Sequence, residues 1–169
     1  MFRRFTTAEF TESVGGGVSH NMSTRDNLLA YHVNKGNLLR VKQGLYAVVP
    51  NGTTAIDFLV DLYLLASRMA EDAVLACHTA LDFHAKSYSV YNKFQYLTKR
   101  SAKEVSFRNY NFTPLRPPKS LLDQGKFSFG VTTAERSGME VKVTSLERTS
   151  LTCLISQILV AVGRKYGVR

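Results

Sequence analysis

The sequence predicts an α+β protein, with an N-terminal winged helix-turn-helix followed by a mixed α+β domain. Three observations carry that expectation. A stretch with helical spacing closes on Lys35-Gly36. Two short apolar strands follow directly, residues 38–41 and 45–49, joined through the basic glycine turn Lys42-Gln43-Gly44. Beyond Ser87 the helical spacing gives way to short alternating strands broken by Pro114, Pro117 and Pro118. The domain plan is residues 1–50, 53–149 and a tail over 150–169.

Taken in order, Thr7 caps a short helix whose acidic start is Glu9 and Glu12 and whose apolar edge is Phe10 and Val14. Gly15-Gly16-Gly17 ends it. The second helix begins at Ser23 or Thr24, where Ser23-x-x-Asp26 has the spacing of a capping box. Leu28, Leu29, Tyr31, His32 and Val33 form its stripe, and Gly36 is its C′ residue. The hairpin then runs to Pro50-Asn51-Gly52. Residues 55–69 read as a long helix, and 74–83 as a second, buried one. Strands are expected at 95–98, 104–108, 110–112, 127–131 and 141–144. A last helix starts after Thr144 or Ser145.

Composition narrows the class. The 169 residues are 44% hydrophobic, enough for packed cores and too many for a disordered chain. Lys and Arg number 22 against 13 acids, a net charge of +9 spread along the chain, which favours polyanions through counterion release. Cys77 and Cys153 sit in apolar surroundings and read as buried, reduced thiols; two isolated cysteines make no metal clip. The start of the chain carries no signal-type apolar run, and no apolar stretch reaches membrane-spanning length. A cytoplasmic protein with no membrane partner is expected.

The chemistry-bearing residues fall into two sets. Ser23, Thr24, Arg25 and Asn27 occupy the first turn of the second helix, where recognition helices meet base edges. Arg25 has the geometry for guanine and Asn27 for adenine. Arg40, Lys42 and Gln43 lie on the hairpin, where phosphate contact is expected. A merely solvated polar face is the competing reading of the helix and hairpin residues alike. The second set, His78, Asp82 and His84, is the most enzyme-like cluster, but its apolar neighbours favour satisfied core histidines over a metal site. With no His-Glu-x-x-His, Walker loop or Gly-x-Ser-x-Gly elbow, neither an enzyme nor a cofactor is expected.

Several motifs together resemble AbiEi-type antitoxins. In the first half they are Phe5-Thr6-Thr7-Ala8-Glu9-Phe10 and Leu28-Leu29-Ala30-Tyr31-His32-Val33-x-Lys35-Gly36-x-Leu38-x-Arg40-Val41-x-x-Gly44-Leu45-Tyr46-Ala47-Val48. In the second they are Leu64-Leu65-Ala66-Ser67-Arg68, Ala73-Val74-Leu75-Ala76-Cys77-His78-Thr79-Ala80-Leu81, Tyr96-Leu97-Thr98, Arg116-Pro117-Pro118 and Val143-Thr144-Ser145-Leu146-Glu147-Arg148-Thr149. The resemblance implies a winged helix that binds double-stranded DNA at its own promoter. It also implies a second domain that opposes a nucleotidyltransferase toxin encoded nearby.

After Thr149 the chain departs from that family, which continues with Leu-Asp, Pro-Asp, Gly-Gly and Trp-Glu-Glu motifs. The genetic code permits a one-base shift of the codons from Leu151 onward to spell those motifs, so residues 150–169 read as a frameshift product. The expected consequence is a chain that still binds promoter DNA but neutralises its toxin weakly or not at all. Its apolar strip, Leu151, Leu154, Ile155, Ile158, Leu159 and Val162, is expected to lack a partner and to favour self-association.

Overall fold

The structure, a computed structural model, describes residues 4–6, 22–87 and 91–154. The chain divides into two compact units, Met1–Asp61 and Leu62–Arg169, and helices and strands are mixed along it in the α+β manner.

In the first unit, helix α1 (Met22–Asn34) packs on an antiparallel sheet of β1 (Arg4–Thr6), β2 (Leu38–Lys42) and β3 (Leu45–Val48), in the order β1-β3-β2. Leu29 is the buried anchor of the helix, and it meets Leu38 and Tyr46 with Val33 and Val48 around them. The helix ends where Gly36 adopts φ +77°. There the Asn37 N–H donates to the His32 carbonyl and the Gly36 N–H to that of Val33, both at 3.0 Å. This is a Schellman close, and it turns the chain straight into β2. The hairpin turn is Gln43-Gly44, with Gly44 at φ +82°. Arg40 pairs with Tyr46 but Lys42 with Leu45, so β2 carries one extra residue. That residue, Val41, is buried at 7% exposure while Arg40 faces out. Leu38 and Arg40, paired with Val48 and Tyr46, share one face of the sheet.

Several sequence expectations need correction here. Helix α1 already includes Met22 and Ser23, and the Asp26 carboxylate accepts from Arg25, so no capping box forms between Ser23 and Asp26. The helix and glycine stop expected over 7–17 lie outside the described residues; β1 was not anticipated. The helix expected over 55–69 breaks in two. One turn forms at 54–58, where the Thr54 hydroxyl accepts from the Asp57 N–H (3.2 Å) and donates to its carboxylate (2.6 Å). Helix α2 is only Leu62–Ser67. The apolar residues serve two different cores, Phe58 in the first unit and Leu64, Leu65 and Ala66 in the second. Ile56 and Leu59 are left exposed.

The second unit is built on a six-stranded mixed sheet in the order β6-β7-β5-β4-β9-β8. Its strands are β4 (Val74–Leu75), β5 (Lys93–Leu97), β6 (Val105–Phe107), β7 (Tyr110–Leu115), β8 (Val131–Arg136) and β9 (Met139–Thr144). The pairs β5–β7 and β4–β9 are parallel and the rest antiparallel. Helices α3 (Cys77–Phe83) and α4 (Lys119–Asp123) complete the unit, and residues 146–154 form α5. Leu64, Leu65, Leu75, Tyr96, Phe112, Val141 and Val143 are sealed in its interior.

The helix expected over 74–83 is therefore a strand followed by a helix. A short apolar run flanked by two pairing partners is a central strand, and periodicity alone does not separate it from a buried helix. The strand expected at 127–131 is instead a turn. The Phe129 N–H donates to the Lys126 carbonyl at 3.0 Å, and the carbonyls of Phe127 and Phe129 both accept from Nη1 of Arg148. The pairing strand, β8, begins only at Val131; its Thr-Thr-Ala-Glu-Arg run shows little apolar alternation. Helix α4 starts directly after Pro118, one of the prolines expected to interrupt regular structure. The strands expected at 95–98, 104–108, 110–112 and 141–144 are present, with shifted bounds.

Thr144 ties β9 to its surroundings. Its hydroxyl donates to the Leu75 carbonyl (3.2 Å) and meets the Thr149 hydroxyl at 2.7 Å, while its carbonyl lies 3.0 Å from Nε2 of His84. A second polar tie lies at Asp72. Burial disfavours its charged form, but the Thr98 hydroxyl (2.6 Å), the Lys99 N–H (2.7 Å), its own N–H and the Arg100 charge outweigh that cost. The carboxyl is held below its ordinary value of 3.8. A depressed carboxyl stabilises the fold above its unfolded value, and this contribution is lost as pH falls through the folded value. Asp72→Asn is thus expected to lower the melting temperature at neutral pH. The gap from wild type should close as pH drops below about 4, and a pH-independent gap would disprove the linkage.

Candidate functional site

Helix α1 and the β2–β3 hairpin enclose a groove of about 430 Å³ in the first unit. Arg25 and Asp26 stand on its helix side, and Arg40, Gln43 and Gly44 on its hairpin side; Tyr46 also lines it. The local folding explains the arrangement. The Schellman close at Gly36 sends β2 back beside α1, and its register with Tyr46 sets Arg40 on the face that carries Leu38 and Tyr46.

Of the residues expected at the site, Arg25, Arg40 and Gln43 come together in this groove. Ser23, Thr24 and Asn27 are exposed on α1 and are not among its lining residues. Lys42 is half-buried outside it, and burial pulls its amine below the ordinary value of 10.5. Arg40 and Gln43 are exposed. Near the end of the helix the Lys35 ammonium lies over the Tyr31 ring, 4.8 Å from its centroid.

Arg25 is already engaged. Its Nε and Nη2 donate to one oxygen of Asp26, at 3.0 and 2.9 Å. Nε and Nη2 form the fork that would meet a guanine edge, so base contact by this edge requires the Asp26 carboxylate to be released. The residue that sets this condition adjoins Arg25 in the sequence, where it was read only as a helix cap. Chemically, the groove offers hydrogen-bond donors from two elements, with one carboxylate tempering their charge. That chemistry suits an anion.

The histidine cluster of the second unit is divided among other duties. The His78 ring lies tilted against that of Tyr91 with centroids 4.5 Å apart, Asp82 accepts from the Tyr63 hydroxyl, and His84 faces the Thr144 carbonyl. Among the described residues no three His, Cys, Asp or Glu side chains are placed to share a metal. Cys77 is buried, and burial together with a hydrogen bond to Cys153 pushes its thiol up to about 12. Cys153 is only half-buried, less sequestered than its apolar neighbours suggested. Among the described residues no helix is long and apolar enough to cross a membrane. Comparison with models of known protein families finds none that matches this chain, and comparison with curated proteins finds no match either.

Proposed function

We propose that this chain is a winged-helix DNA-binding autorepressor, and the antitoxin that opposes a nucleotidyltransferase toxin of a type IV toxin–antitoxin pair. The observation that carries the DNA half is the convergence of Arg25, Arg40 and Gln43 on one groove between a helix and a hairpin turn. The net charge of +9 adds non-specific attraction to the phosphate backbone. On this reading α1 lies in the major groove of the chain's own promoter, and the hairpin touches phosphate. The antitoxin half rests on the motif resemblance, chiefly residues 143–149. A second reading, a toxin-contacting protein without specific DNA affinity, is favoured by the pairing of Arg25 with Asp26.

Anisotropy titrations against the chain's promoter fragment and a random duplex, at several salt concentrations, test the DNA half. Arg40→Ala is expected to weaken binding to both duplexes and to reduce the salt slope by about one phosphate contact. Arg25→Ala should lower affinity for the promoter alone. Equal affinity of the wild type for the two duplexes would select the second reading. Unchanged binding by Arg40→Ala would remove the hairpin from the interface. Co-expression with the neighbouring toxin tests the antitoxin half: with residues 150–169 in place of the family's continuation, partial rescue of growth at most is expected, and full rescue would show that the first 149 residues suffice and overturn the frameshift reading of the tail.

A further inference from the structure

The sequence sets Cys77 and Cys153 far apart, one in the apolar run 73–77 and the other in the divergent segment 150–169. The fold brings them together. Cys77 opens α3 directly after β4, and Cys153 lies on α5, one turn beyond Thr149 and on the same helix face. The Thr149 hydroxyl meets that of Thr144 at 2.7 Å, and Thr144 donates to the Leu75 carbonyl at 3.2 Å. This face of α5 is thereby set against the junction of β4 and α3, where the two thiols share a hydrogen bond. Cys77 has φ +51°, which side-chain-bearing residues rarely adopt, so the flanking strands β5 and β9 fix its place rather than local preference. Both sulfurs are thiols, Cys77 at 2% exposure and Cys153 half-buried. The end of α5 has little else to hold it. Leu151 and Leu154 are 62% and 55% exposed, and the hydroxyls of Ser150 and Thr152 donate to carbonyls of their own helix.

We propose that Cys77 and Cys153 form a redox pair, in which a small disulfide such as oxidised glutathione closes a Cys77–Cys153 bond that locks the end of α5 to the β4–α3 junction. The half-buried Cys153 meets the oxidant first. Its thiolate attacks one sulfur of glutathione disulfide, that S–S bond breaks, and one glutathione leaves as a thiolate that takes up the proton Cys153 gave up. The Cys77 sulfur then attacks the Cys153 sulfur, and its proton goes to the second departing glutathione. Two thiols of the chain are oxidised, and glutathione disulfide is reduced to two thiols. Burial and the contact with Cys153, which push the Cys77 thiol up to about 12, set this order, because a buried thiol of that kind is inert toward an external oxidant. Proximity favours the second step, and excess reduced glutathione reverses both. The pair rests on neither the DNA nor the antitoxin reading.

Equilibration of the full chain in glutathione buffers tests it, approached from the reduced and the oxidised protein, under native conditions and in denaturing urea. Acid quenching, alkylation and mass spectrometry then count the thiols. The native chain should lose two hydrogens and run as a monomer on a non-reducing gel. It should hold its disulfide at a ratio of reduced glutathione squared to oxidised glutathione at least about tenfold higher than the unfolded chain. Cys77→Ala should leave Cys153 carrying one glutathione, and Cys153→Ala should leave Cys77 unmodified in the native state. Amide exchange over 150–154 should slow about tenfold on closure and recover with dithiothreitol. Equal ratios in the native and unfolded chains would overturn the proposal, as would a persistent mixed disulfide in the wild type or cross-linked copies on the gel. Exchange over 150–154 that is the same in both forms would overturn the lock.

Discussion

Phe112→Ala is expected to lower the unfolding free energy of the second unit by about 3–5 kcal/mol, the usual cost of truncating a sealed aromatic. Phe112 is fully buried on β7, in register with Phe94 of β5 and Val105 of β6. Its ring stacks on Phe94 at 5.5 Å, and Phe94 in turn meets Tyr63 and Tyr110 edge-on at 5.5 and 5.9 Å. Alanine removes the ring from both strand neighbours at once and leaves a cavity that β5 and β7, pinned by their ladder, cannot close. Urea unfolding followed by circular dichroism should show a lower midpoint at unchanged slope. A loss below about 1 kcal/mol would mean that the aromatic cluster repacks around the gap.

Leu29→Ala is the matching experiment in the first unit, with an expected cost of about 2–5 kcal/mol. The cluster there is small: Leu29, Leu38 and Tyr46, bordered by Val33 and Val48. Among the described side chains of α1, Leu29 is the one that is fully buried, so the helix has little else to hold it to the sheet. Amide exchange across 22–34 should rise toward the unprotected rate, and the promoter binding proposed for this unit should fall with it. Arg40→Ala gives the contrast. That side chain is exposed, so binding should weaken while exchange in α1 stays as in the wild type. Unchanged protection of α1 in Leu29→Ala would show that residues other than this cluster hold the helix.

The hairpin at 38–48 and the helix end at Gly36 were legible because glycine at a positive φ and a two-residue turn leave marks in one short window. Four of the five strands expected in the second unit, 95–98, 104–108, 110–112 and 141–144, were legible for a similar local reason. Elements decided by distant partners were not. Val74 and Leu75 form a strand because β5 and β9 flank them, and residues 127–130 form a turn that a guanidinium from α5 holds by its carbonyls. The apolar residues of 55–69 looked like one stripe because nothing local says that they face two cores. At the candidate site, Arg25, Arg40 and Gln43 could be read from position along the helix and hairpin. The burial of Lys42 and the capture of Arg25 by Asp26 depend on side-chain placement that spacing does not give. Arg148 was visible only as one letter of a motif, because its burial comes from residues about 20 positions away.

The two-residue strand β4 has a consequence for how the molecule comes into being. One of its edges pairs with β5, about 20 residues on, but the other waits for Val143, nearly 70 residues later. During synthesis the hairpins β6–β7 and β8–β9 can each zip locally, whereas the middle of the sheet stays open until β9 has left the ribosome. Until then the run Ala73-Val74-Leu75-Ala76-Cys77, wholly buried in the finished fold, offers a bare apolar edge to any neighbouring nascent chain. The yield of native protein should therefore depend on the competition between docking of β9 and encounters among incomplete chains. Slower initiation and lower temperature during expression should shift that competition toward the folded product.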